Sequence, residues 1–231
     1  KITTGGKDNK FGLSAQTALG LYAQAAATPS LEPLGLACHL GSQVTDLAPL
    51  ERGFQVMRGL VERLRGDGLD VRRLDLGGGL GAPYFDQPDP ASPQAFAEMA
   101  ARAAGGLDLQ YLFEPGRMIA ANAGVLVARV IAIHERPETG KSFLILDAGM
   151  NDLMRPALYE AFHEIRPIRP RQGAAVAYDV VGPICESTDT FARDRELAPL
   201  QAGDLVAFMT AGAYVASISK EYNTRPMVPE V

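Results

Sequence analysis

Two kinds of hydrophobic pattern meet near residue 121, and one regular layer cannot accommodate both. Before that point, short apolar runs alternate with longer segments of helical period. Leu34–His39 is a short apolar run that ends on a polar residue shortly before Gly41, Arg73–Leu76 reads as a brief strand running into Gly77–Gly79, and Leu109–Phe113 reads as a third strand. Between them, Leu50–Arg65 places Leu50, Phe54, Met57, Leu60, Val61 and Leu64 on one helical face. Pro93–Ala104 predicts a second helix, with Ser92 as N-cap and Pro93 in the first position. Strand, glycine loop, helix, strand is the rhythm of a parallel α/β unit. Beyond residue 121, Gly124–Glu135, Ser142–Asp147, Ala174–Val181 and Asp204–Met209 are rich in apolar and β-branched residues. Turn signals separate them at Pro137 to Gly140, Arg169 to Gly173 and Ala202 to Asp204. This half predicts an antiparallel β domain, a sandwich or barrel, with a short helical insertion at Met154–Phe162.

Charge and cysteine usage narrow the function. The chain carries 22 basic and 27 acidic residues, a net charge of −5, with both signs mixed along its length. No basic stripe is present, which argues against nucleic acid as a partner. No apolar run approaches the roughly 20 residues of a membrane span, so no membrane association is expected. The two cysteines, Cys38 and Cys185, lie far apart, and a reducing cytoplasm is the simplest compartment.

Three loops carry candidate chemistry. Gly77, Gly78, Gly79 and Gly81 follow a strand, where backbone N–H groups without flanking side chains can cradle a phosphate. A tight strand-to-helix turn uses the same glycines equally well. Glu114-Pro115-Gly116-Arg117 follows the next strand, and an acid and a base so placed also make an ordinary surface ion pair. In eight-stranded α/β barrels, however, the loops after the last two strands commonly bind phosphate. Cys38 to Gln43 is the third strand end. Of His39, His134 and His163, only His39 sits where a parallel strand delivers it to a shared mouth, and a planar imidazole there suits a planar cofactor.

In this order and spacing, HLGS, LDLGGGLG and EPGR resemble the fold type III pyridoxal-phosphate (PLP) decarboxylases. The likeness continues through Asp147–Ile165, GPICESTD at Gly182–Asp189, GAY at Gly212–Tyr214 and EYNTRP at Glu221–Pro226. The RPALYEAFH wording, and CES with a nearby Asp, are similar to the branch of that family acting on diaminopimelate. The resemblance implies an α/β plus β fold. Residues 1–121 would be the C-terminal half of a PLP-binding (β/α)8 TIM barrel, and residues 122–231 an antiparallel β domain. It also implies a homodimer with shared active sites, a small amino-acid substrate, and decarboxylation of meso-2,6-diaminopimelate to L-lysine.

The same resemblance implies residue roles. His39 stacks on the pyridine ring. Ser42, Gly78, Gly79 and Gly116 hold the phosphate, with Arg117 beside them and within reach of a substrate carboxylate. Glu114 faces the pyridine nitrogen, which favours its protonated form. Arg155 and Tyr159 bind a substrate carboxylate; four residues apart, they share a helical face, as a solvated surface pair also would. Cys185, the proton donor, and Glu186 enter the neighbouring subunit's site, and Tyr214 reaches the cofactor.

The match has one departure. The family's Schiff-base lysine lies on an early barrel strand, and none of Lys1, Lys7, Lys10, Lys141 or Lys220 stands in that motif. Asn9 to Leu13 resembles a loop near the middle of the barrel, so the first half of the barrel and the lysine are expected upstream of Lys1. Carboxynorspermidine or D-amino-acid decarboxylation on the same fold, and a non-catalytic PLP-fold homologue, are the alternative readings.

Overall fold

The computed structural model describes residues 10–231; Lys1, Lys7 and Asn9 lie outside the described residues. The chain divides into two compact units. One runs to Ala82 and resumes at Asp89–Met118; the other takes Pro83–Pro88 and Ile119–Val231.

The first unit alternates helix and strand: α1 (Ala15–Ala26), β1 (Gly35–Ala37), α2 (Ala48–Gly66), β2 (Arg73–Asp75), α3 (Pro93–Ala104) and β3 (Gln110–Leu112). The three strands form one parallel sheet in the order β1-β2-β3. The apolar stripe of α2 is buried as its period predicts: Leu50, Phe54, Met57, Val61 and Leu64 pack with Phe96, Met99 and Ala100 of α3 and with Leu74 of β2. Phe54 and Phe96 meet edge to face at 6.0 Å. Ser92 caps α3, its hydroxyl accepting the Ala95 N–H at 3.1 Å. Helix α1 was not among the predicted elements. Its alanines favour helix without marking a face, and Tyr22 is its one buried residue.

The second unit is a six-stranded sheet. After the five-residue helix α4 (Gly116–Ala120), which leads into it, come β4 (Leu126–Arg136), β5 (Lys141–Leu146), α5 (Arg155–Tyr159), β6 (Ile165–Pro167), β7 (Val176–Val181), β8 (Thr190–Leu197) and β9 (Leu205–Phe208). The strand order is β6-β9-β4-β5-β7-β8. The edge strands β6 and β8 approach one another, so the sheet is nearly closed. Leu126, Ala128 and Val130 alternate into the core from β4, where Leu144, Leu146, Val180, Val206 and Phe208 are also buried.

The expectation of a purely antiparallel domain needs correction. β5 and β7 pair in parallel, with Phe143 opposite Asp179 and Ile145 opposite Val181. The chain between them is no hairpin. It passes through α5 and then β6, which pairs with β9, before returning to start β7 from the same end as β5.

A buried carboxylate braces this pairing. Asp179 on β7 is 3% exposed and accepts from the Lys141 ammonium at 2.7 Å and from the Asp194 N–H at 2.9 Å. Asp194 has φ +47°, and Asp179 sits where the β7–β8 register shifts. Burial by itself would raise the carboxyl. The Lys141 and Asp194 hydrogen bonds outweigh it and hold Asp179 below the usual carboxylate range. A depressed value stabilises the fold fully above the unfolded value near pH ~4, and that stability is lost as pH falls through the folded value. Asp179→Asn is therefore expected to cost about 1.5–3 kcal/mol at neutral pH. In urea melts the gap from the parent should shrink toward zero at about pH 2. A gap of equal size at both pH values would show that the carboxylate charge is not what braces the sheet.

Candidate active site

In the first unit, seven of the anticipated residues stand at the carboxyl ends of the three parallel strands, where parallel folds place their chemistry. His39 and Ser42 follow β1, Gly78 and Gly79 follow β2, and Glu114, Gly116 and Arg117 follow β3. Main-chain bonds tie the three loops together. Glu114 N–H donates to Gly77 O at 2.9 Å, and Val44 N–H donates to Gly79 O at 2.9 Å. The Gln43 amide pairs in both directions with the Ala82 backbone, at 2.7 and 3.1 Å.

The glycines divide into two classes. A Cβ on Gly78 would lie 2.2 Å from Glu114 O; one on Gly79, where φ is +103°, would lie 2.4 Å from Gly41 O. Close backbone approach dictates glycine at both positions. Among the described residues, a Cβ at Gly116 would meet nothing within 4 Å, so their packing does not demand glycine there. Beside it, Arg117 is 6% exposed and its Nη2 donates to Ser42 Oγ at 3.0 Å. A buried cation and a hydroxyl beside an open glycine fit an anionic group such as a phosphate. His39 and Glu114 are exposed on the same loops.

The second unit holds the other anticipated residues, in two arrangements. Arg155 opens α5 but is 5% exposed, so it is no member of a solvated surface pair; Tyr159, at the end of that helix, is half-buried. Arg155 Nη1 donates to Tyr84 Oη at 3.0 Å and meets His163 Nε2 at 2.9 Å. Its guanidinium lies 5.1 Å from the centre of the Tyr84 ring. The Tyr84 and His163 rings meet edge to face at 6.0 Å, and His163 Nδ1 lies 2.9 Å from Met209 O.

The second arrangement is the β7–β8 loop. Cys185 and Glu186 are exposed on it, and Glu186 accepts from the Tyr222 hydroxyl. Beneath them Asp189 is 2% exposed and accepts the N–H groups of Met150 and Ile184, each at 2.6 Å. Burial raises Asp189 above the ordinary carboxylate value despite those bonds. Asp189 thereby fixes the backbone next to Cys185. Tyr214 follows β9 with φ +57° and is 45% exposed. The two thiols differ: Cys38, in the first unit, is partly buried, and burial followed by the Asp75 carboxylate pushes it up to about 11.

Sequence alone gives no role to Tyr84, His163 or Asp189. Tyr84 lies in a proline-bounded loop without period, and His163 lies in a segment whose burial no local pattern marks. The nearest signal for Asp189 is its place four residues after Cys185 in GPICESTD.

Comparison with known proteins gives concordant results. The chain is 48% identical to a diaminopimelate decarboxylase of Zymomonas mobilis, over 100% of this chain and 54% of that protein. It is 46% identical to the Vibrio cholerae diaminopimelate decarboxylase, over 100% of this chain and 54% of that protein. The chain thus spans about half the length of these curated relatives. The crystal structure of Helicobacter pylori diaminopimelate decarboxylase complexed with L-lysine matches with a TM-score of 0.92 at 40% identity, covering 98% of this chain and 56% of that one. A Vibrio vulnificus lysine/ornithine decarboxylase complexed with cadaverine matches at 0.87 and 28% identity, covering 95% of this chain and 60% of that one. Residues 21–212 match the model of the pyridoxal-dependent decarboxylase C-terminal sheet domain, and the chain belongs to that family.

Proposed function

We propose that this chain belongs to an enzyme that uses PLP to remove CO2 from the D-configured centre of meso-2,6-diaminopimelate, giving L-lysine. The observation that carries the reading is Arg155, a buried cation held in a built cage, in a chain whose 46–48% identical relatives are diaminopimelate decarboxylases. The substrate has two amino-acid ends, and the end that does not react must be recognised as a carboxylate and an ammonium. Arg155 with the Tyr159 hydroxyl takes the distal carboxylate, since a guanidinium fork pairs bidentately with it. Glu186 takes the distal ammonium.

Bound PLP would supply the electron sink that lets a carbon–carboxylate bond break. The residues do the rest. Ser42, Gly78, Gly79, Gly116 and Arg117 hold the phosphate, and Arg117 also meets the reacting carboxylate. His39 packs on the ring face. Glu114 keeps a proton on the ring nitrogen, and Tyr214 completes the cofactor's surroundings. As the bond to CO2 breaks, Cys185 gives its thiol proton to the substrate carbon, forming the new C–H bond. In this reading Cys185 and Glu186 serve the partner subunit of a homodimer, and the lysine that anchors the cofactor lies in the part of the relatives' length that this chain does not span. The three parallel strands are then part of a TIM barrel. The free thiols of Cys38 and Cys185 suit a cytoplasmic enzyme, and no helix among the described residues is long and apolar enough to cross a membrane.

The test is product analysis with the holoenzyme containing this chain. Meso-diaminopimelate should yield CO2 and L-lysine in equal amounts, in a reaction lost when PLP is stripped and restored when it is added back. Absence of L-lysine from PLP-loaded enzyme would reject the reading.

A further inference from the structure

We infer that His163 and Tyr84 form a neutral cage that aims Arg155 at the distal carboxylate, which makes them positioning residues for substrate choice. This rests on the reading of Arg155 given above. The chemistry of the partners fixes the state of the ring. Met209 O can only accept, so the hydrogen sits on His163 Nδ1. Arg155 Nη1 can only donate, so His163 Nε2 presents its lone pair, and the ring is the neutral Nδ1–H tautomer.

The two hydrogens of Nη1 match the two acceptors, Tyr84 Oη at 3.0 Å and His163 Nε2 at 2.9 Å. With that nitrogen pinned at two points, the plane of the guanidinium and the directions of its remaining N–H groups are set. The Tyr84 ring at 5.1 Å backs it, and His163 is itself held by Met209 O, next to the end of β9. Orientation of a ligating group by partners behind it is what fixes a recognition geometry. The cage is also assembled from four separate stretches of chain, at positions 84, 155, 163 and 209.

Two substitutions separate positioning from mere packing. In His163→Gln the side-chain oxygen reaches the place of Nε2 and keeps an acceptor for Arg155. In His163→Asn the amide reaches only the place of Nδ1, keeping the Met209 bond and losing that acceptor. The holoenzyme is assayed for KM and kcat with meso-diaminopimelate, for Kd of L-lysine and of cadaverine, and for bound PLP by visible absorbance. L-Lysine keeps the carboxylate that Arg155 would bind; cadaverine has none. His163→Asn is expected to raise KM about tenfold with kcat within about threefold, and to lower the preference for L-lysine over cadaverine about tenfold. His163→Gln should stay within about threefold of the parent on each measure, and all variants should retain PLP. If the Asn variant does not fold, Tyr84→Phe, which removes only the other acceptor, should raise KM about tenfold. A parent-like KM and ligand preference in His163→Asn, or in Tyr84→Phe where that variant takes its place, overturns the inference. Equal impairment in Asn and Gln also overturns it, because a packing role does not distinguish them. Arg155→Ala run alongside isolates the underlying reading: if that variant still prefers L-lysine, Arg155 is not the carboxylate site.

Discussion

Cys185→Ala in the holoenzyme is expected to lower kcat for meso-diaminopimelate by about 10²- to 10⁴-fold, the span typical of losing a positioned general acid. Bound PLP should be unchanged. Cys185 is exposed on its loop, so its loss opens no cavity. The loop backbone is held independently by the buried Asp189 carboxylate on the Ile184 and Met150 N–H groups. Cys38 offers no substitute; burial and Asp75 push its thiol up to about 11, and it packs against the core of the first unit. The shared-site proposal adds a stricter expectation. An inactive Cys185→Ala chain mixed with a chain lacking the cofactor-anchoring lysine should regain about a quarter of parental activity, because random pairing makes half the dimers mixed and each mixed dimer has one intact site. No recovery after verified subunit exchange would place Cys185 in its own subunit's site.

Gly78→Ala is expected to weaken PLP binding about 10- to 100-fold, the equivalent of the ~1–3 kcal/mol that overpacking costs. The added Cβ would fall 2.2 Å from Glu114 O, so the ends of β2 and β3 must part. Glu114 N–H bonds back to Gly77 O, and the movement displaces both the glycine loop and the loop carrying Glu114 and Arg117. Gly116→Ala provides the contrast. Among the described residues, its Cβ meets no neighbouring element within 4 Å, so stability should be unaltered while PLP affinity falls. Equilibrium titration with PLP alongside thermal melts separates the two effects. Parental PLP affinity in Gly116→Ala would remove that glycine from the phosphate site.

Legibility in the sequence followed the range of the interaction that fixes each feature. Helices α2 and α3 were readable because their stripes and caps are local: Leu50 to Leu64 share one face, and Ser92 and Pro93 mark a start. The strand ends that carry Gly78 and Glu114 were readable because glycine and proline punctuate the apolar runs before them, which is a local signal. β8 escaped notice because TFARDREL is charged and broken by Asp194 at positive φ. β6 is three residues ending in proline. The parallel pairing of β5 with β7 depends on where the chain travels between them, which composition does not record. The Arg155 cage is the extreme case. Its hydrogen bonds join residues 71 apart for Tyr84 and 46 apart from His163 to Met209, so neither residue carries a local sign of its partner.

The central claim is most directly tested by CO2 release from meso-diaminopimelate, L-lysine, L-ornithine and carboxynorspermidine, measured side by side with one preparation of the PLP-loaded enzyme. A site that pairs Arg155 with a distal carboxylate and Glu186 with a distal ammonium should reject ligands that leave those groups unpaired. The expected result is kcat/KM for meso-diaminopimelate at least about 10²-fold above each of the others, with Arg155→Ala removing most of that margin. Higher kcat/KM for any of the other three would contradict the account.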